Sequence, residues 1–81
     1  MANAKKILLV DDDEDLRDAL AEQLRITEDF DVIEAGDGAE GLNTAKSADF
    51  DIIILDVGLP DTDGRELCRW MRKQGVECPI I

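Results

Sequence analysis

Two runs of four apolar residues, Ile7–Val10 and Ile52–Leu55, each end abruptly on aspartate. No other feature constrains the fold as strongly. A strand with one wet face alternates apolar and polar residues, so short runs that are apolar throughout predict strands buried on both faces. After the first run, Leu16, Ala19, Leu20 and Leu24 recur at helical spacing behind an acidic first turn. That pattern predicts a helix over residues 14–27 with those four side chains as its buried stripe. Val32–Ala35 predicts a second strand. Asp37-Gly38-Ala39-Glu40 has the form of a capping box and opens a helix through Leu42 and Ala45. Asp63-Gly64-Arg65-Glu66 repeats the pattern before a helix whose inner face includes Leu67 and Met71 and which ends near Gly75. Pro79-Ile80-Ile81 begins a fourth strand.

Strands buried on both faces, alternating with helices through connections of a few residues, predict an α/β fold: a doubly wound parallel sheet with helices on both sides. In such sheets ligands bind beyond the carboxyl ends of the strands. Asp11 and Asp12 follow the first strand and Asp56 the third, so at least three carboxylates converge there. Two like charges about 4 Å apart repel by roughly 4 kcal/mol at an effective dielectric near 20, which calls for a counter-ion. Few protein ligands, all of them hard oxygens, suit a hydrated Mg²⁺ or Mn²⁺. Asp13, Glu14 and Asp15 are accounted for as helix-capping acids. Asp56 is not, because the next helix has its own cap in Asp63, seven residues later.

Composition narrows the chemistry further. With 81 residues, 9 Lys and Arg, 20 Asp and Glu, and no histidine, the chain is one small domain of net charge −11. Ser-His-Asp triads, HExxH zinc sites and a phosphohistidine on this chain are excluded. The negative surface repels phosphate backbones and anionic lipid, so nucleic acid and membrane are poor partners. No apolar run approaches the roughly 18–20 residues of a membrane helix, and Lys5-Lys6-Ile7 runs into Asp11 too soon for a secretory signal. A cytoplasmic location is expected, with Cys68 and Cys78 as reduced thiols. Asp11-x-Asp13-x-Asp15 with Glu22 mimics an EF-hand loop but puts Leu16 where glycine is required. The strand ending on Asp56 resembles a Walker B strand, but no GxxxxGK[ST] loop accompanies it. The acids after the first strand would repel a nucleotide or flavin phosphate.

Taken together, ILLV-Asp11-Asp12-Asp13 and the stretch IIILDVGLPDTDG, with Asp56, Leu59-Pro60 and Asp63-Gly64 in order, resemble the receiver domain of two-component response regulators. The resemblance covers essentially residues 1–81 and implies a flavodoxin-like receiver fold with strand order 2-1-3-4-5. It also implies that Asp56 is the phosphoacceptor and that Asp11, Asp12, Asp56 and the backbone carbonyl of Gly58 bind Mg²⁺. The donor it implies is a phosphohistidine on a sensor histidine kinase or a histidine phosphotransfer protein. A carboxylate is a competent nucleophile toward phosphorus once the metal neutralises its neighbours, so the domain would assist its own phosphorylation and dephosphorylation. Gly58 leaves no side chain over the acceptor, which eases water access to the acyl phosphate.

Against the family pattern the chain stops within strand 4. Strand 5, the last two helices, a Ser/Thr just past Ile81 and a Lys at the end of strand 5 have no counterpart here, since Lys46 and Lys73 fall in helical segments. The expectation is the N-terminal two-thirds of a receiver, whose exposed sheet edge promotes self-association. The competing function is a receiver-like protein-binding scaffold that is not phosphorylated.

Overall fold

The computed structural model describes residues 4–81. Three parallel strands, β1 (Lys5–Val10), β2 (Phe30–Ala35) and β3 (Ile52–Leu55), form a sheet in the order β2-β1-β3. Three helices alternate with them: α1 (Glu14–Arg25), α2 (Gly38–Ser47) and α3 (Gly64–Lys73). The predicted fourth strand begins where expected. Ile80 bridges Ile53 in parallel, the Ile53 amide donates to the Pro79 carbonyl at 3.0 Å, and the Ile81 amide donates to the Ile53 carbonyl at 2.9 Å. Residues 79–81 thus extend the order to 2-1-3-4.

Alternation along the strands sorts the core into two layers. Leu8, Val10 and Ile53 pack with Ala45, Leu67 and Met71 of α2 and α3 on one face, while Ile7, Leu9 and Val32 pack with Ala21 of α1 on the other. This is why β1 is apolar at four consecutive positions. β2 lies at the edge, and there only Val32 and Ala35 are fully buried.

α1 departs from the predicted stripe. Leu16 and Leu20 are 50% and 40% exposed, and the fully buried residue is Ala21. The helix is turned so that Arg17, Ala21 and Leu24 face inward. Arg17 reaches the carboxyl ends of the strands, where its Nη1 donates to the Asp11 carbonyl at 2.8 Å and its Nε to Glu34 Oε1 at 3.1 Å. The small Ala21 then allows close approach of helix to sheet. This orientation gives Arg17 its polar contacts and leaves Leu16 and Leu20 half-exposed, which apolar periodicity does not report.

The helix ends follow their sequence signals with one adjustment. Asp13, Asp37 and Asp63 are the N-caps, accepting from the amides of Leu16, Glu40 and Arg65. The Glu40 carboxylate closes its box on the Gly36 amide, at 2.6 Å, one residue beyond the N-cap. α3 ends in a Schellman motif at Gly75, whose φ of 92° favours glycine, with the Val76 amide donating to Met71 and the Gly75 amide to Arg72.

Candidate phosphoacceptor site

Register builds the site. Val10 is aligned with both Ala35 and Leu55, so the residues that follow β1 and β3 emerge side by side. Backbone bonds carry this alignment one residue past the strands: the Asp11 amide donates to Ala35 at 3.1 Å and the Asp56 amide to Val10 at 2.9 Å. Adjacent strands lie about 4.8 Å apart, so two aspartates at one level must be near neighbours. Asp11, Asp12 and Asp56 each offer a carboxylate oxygen to one cluster, with all three oxygens within 4.8 Å of one another. Asp11 and Asp56 are half-buried and Asp12 is exposed. Residues 45 positions apart in sequence are thereby joined in a single acidic pocket.

The loop after Asp56 is tightly held. The Gly58 amide donates to Asp56 Oδ1 at 3.3 Å, and the Gly64 amide donates to the Val57 carbonyl at 2.9 Å across an antiparallel bridge between Gly58 and Asp63. In that bridge the paired atoms belong to the flanking residues, which leaves the Gly58 carbonyl with no hydrogen bond among the described residues. A Cβ at position 58 would meet nothing within 4 Å. The carbonyl expected from the sequence to bind metal is therefore without a hydrogen-bond partner among the described residues, two residues after Asp56.

Three residues to which the sequence assigns no role in the pocket support it. Gly64 is one: a Cβ there would stand 2.6 Å from the Asp56 carbonyl oxygen and 2.8 Å from Val57 Cα, so α3 can approach the Asp56 backbone only through glycine. As a helix cap and as part of the family motif the Asp63-Gly64 pair is visible in sequence, but this close approach is not. Asp61 is another. Its Oδ1 accepts from the Gly38 amide at 2.8 Å and its Oδ2 from the Ala39 amide at 3.0 Å, pinning the tip of the loop after Asp56 to the N-terminus of α2. These two amide bonds hold the Asp61 carboxyl below its ordinary value of 3.8. No local spacing announces a cap supplied from 22 residues downstream. The third is Arg17, which holds the Asp11 carbonyl from below. Its partner Glu34 also accepts from Arg25 at 3.2 Å. Burial raises the Glu34 carboxyl, but hydrogen bonds with Asp18, Arg17 and Arg25 outweigh it, leaving Glu34 low while the same contact raises Asp18.

A surface depression of about 570 Å³ lies at the opposite end of the sheet among Ala45, Phe50, Gln74, Val76 and Cys78. It holds none of the three clustered aspartates, and burial pushes the Cys78 thiol up, away from thiolate chemistry. Size does not mark the site here; converging carboxylates do.

Residues 7–81 match the response regulator receiver domain family. The chain belongs to that family. Over 77 residues, 95% of this chain, the receiver is 44% identical to the alkaline phosphatase synthesis transcriptional regulatory protein PhoP of Bacillus subtilis, covering 32% of that protein. It is 39% identical to the transcriptional regulatory protein CiaR of Streptococcus pneumoniae, covering 94% of this chain and 33% of that one. The chain thus spans about a third of the length of these curated relatives. Among solved structures, the chemotaxis protein CheY4 of Vibrio cholerae superposes with a TM-score of 0.86 at 35% identity, over 95% of this chain and 65% of that one. The response regulator TrrA of Thermotoga maritima, solved in complex with Mg²⁺ and BeF, superposes with a TM-score of 0.85 at 34% identity, over 94% and 65%. The fold and the receiver assignment expected from the sequence both hold. Among the described residues no helix is long and apolar enough to cross a membrane.

Proposed function

We propose that Asp56 is the phosphoacceptor of this receiver, taking its phosphoryl group from a phosphohistidine on a sensor histidine kinase or histidine phosphotransfer protein. The observation that carries this reading is the clustering of Asp11, Asp12 and Asp56 oxygens within 4.8 Å beside the uncommitted Gly58 carbonyl. This donor set of three carboxylates and one carbonyl, open to solvent on one side, fits Mg²⁺ or Mn²⁺, hard ions that keep several waters. Bound there, the ion supplies charge neutralisation for the incoming phosphoryl group and the carboxylates around it.

The chain's own residues do the rest. Oδ1 of Asp56 is engaged by the Gly58 amide, which fixes the carboxylate plane, and its second oxygen enters no hydrogen bond among the described residues. That oxygen attacks phosphorus, an O–P bond forms, the donor's N–P bond breaks, and the imidazole nitrogen keeps the electron pair. Asp11 and Asp12 hold the metal, and Gly64 and Asp61 hold the loop. The open space above Gly58 admits the water that later hydrolyses the acyl phosphate.

Incubation with a small acyl phosphate or a phosphorylated kinase tests the reading. A base-labile, Mg²⁺-dependent adduct that disappears in Asp56→Asn is the expected result. Label that survives the substitution moves the acceptor to Asp11 or Asp12, and no label from any donor favours an unphosphorylated binding scaffold.

A further inference from the structure

Charge is distributed unevenly over the molecule. Helix α3 carries Arg65, Arg69, Arg72 and Lys73 against a single acid, Glu66, a net of +3. The rest of the chain has five cations and nineteen acids, a net of −14. With so many carboxylates available, neutralisation of these cations within the molecule would be easy, yet little of it occurs. Arg69 and Lys73 enter no ion pair among the described residues, and Arg65 reaches only Asp63, at 3.6 Å on the surface. Arg72 is used internally, donating to the carbonyls of Val76 and Cys78 at 3.0 and 2.7 Å.

Arg65, Arg69 and Lys73 stand four residues apart, so they form one ridge along the outer face of a ten-residue helix. Beside it sits Trp70, the chain's one tryptophan, 50% exposed, with the Lys73 ammonium 5.2 Å from its ring centroid. A shallow depression of about 290 Å³ opens between Arg65 and Arg69, rimmed by Asp63 and Glu66. None of these groups belongs to the acceptor site.

We infer that the outer face of α3 is a docking surface for an acidic segment of a partner protein, one that sets carboxylates against Arg65, Arg69 and Lys73 and an apolar side chain on Trp70. Tryptophan and arginine are the residue types that dominate binding energy at protein interfaces. Arginine pairs carboxylates with two parallel hydrogen bonds, and a half-exposed indole gains from an apolar cover. The remaining −14 of charge repels an acidic partner everywhere else, so approach is steered to this one face. Two cations unpaired among the described residues, Arg69 and Lys73, with the loosely paired Arg65 on a helix about 15 Å long, suit a few carboxylates on a short segment. A nucleic acid strand long enough to pass beyond this helix meets the surrounding carboxylates, which repel its phosphates. A second copy of this chain brings its own net charge of −11 and is repelled at long range.

Because Trp70 is the one tryptophan, its emission reads the surface directly. The probe is a short helical peptide with glutamates along one stripe and leucines beside it, compared with the same peptide carrying glutamine for glutamate. The expected result is a saturable blue shift with the glutamate peptide alone, weakened by salt and by about tenfold in Arg69→Glu/Lys73→Glu, exposed positions whose change leaves the core intact. A shift of equal affinity with the glutamine peptide, or one unaffected by the double substitution, overturns the inference. So does a flat titration. A stronger response to a single-stranded oligonucleotide assigns the face to nucleic acid instead. A blue shift that appears with protein concentration alone, alongside dimers in sedimentation, assigns it to a second copy.

Discussion

Gly64 and Asp61 hold the backbone and the loop that carry Asp56. Gly64→Ala places a methyl group against the Asp56 carbonyl at 2.6 Å, so α3 or the acceptor strand must move. Overpacking of this kind costs about 1–3 kcal/mol, and urea denaturation is expected to show a loss in that range together with slower phosphorylation. Asp61 gives a pH signature. Its carboxyl is depressed in the folded protein, so the stabilisation is complete above the unfolded value of 3.8 and fades as pH falls through the lower folded value. Asp61→Asn is therefore expected to lower the melting temperature at neutral pH, with the gap from wild type closing in acid below 3.8. A gap that stays constant with pH assigns the loss to packing. Asp11, Asp12 and Asp56 were legible in the sequence because each directly follows a strand that local pattern identifies. Gly64, Asp61 and Arg17 were not, because what each touches lies on another element.

Elements were legible to the extent that a single local signal determined them. β3 begins and ends at the expected residues, α3 buries Leu67 and Met71 as its spacing implied, and the caps at Asp13, Asp37 and Asp63 are all formed. α1 was misjudged because its orientation is set from outside. Arg17 must reach Asp11 and Glu34, and this turns Ala21 to the sheet and leaves Leu16 at the surface. The corrected orientation separates two substitutions that the apolar pattern would rank the other way. Ala21→Leu crowds a fully buried position and is expected to destabilise the protein by about 1–3 kcal/mol. Leu16→Ala removes a half-exposed side chain and is expected to change stability by less than about 0.5 kcal/mol. Thermal melts of the two variants check the ranking, and equal losses would restore the original stripe.

For the whole molecule, one crowded acidic end and one basic helix dominate behaviour. The parallel topology was legible from two runs apolar on both faces, Ile7–Val10 and Ile52–Leu55, and the charge separation was masked by the net charge of −11, which conceals a helix of the opposite sign. The central claim concerns chemistry at one atom, and borohydride reduction of the phosphorylated protein tests it most directly. Reduction converts an aspartyl phosphate to homoserine, so peptide sequencing locates the acceptor. The account predicts homoserine at position 56 alone, formed only when Mg²⁺ is present during phosphorylation. Homoserine at position 11 or 12, or an unchanged Asp56 in protein that carries phosphate, would contradict it.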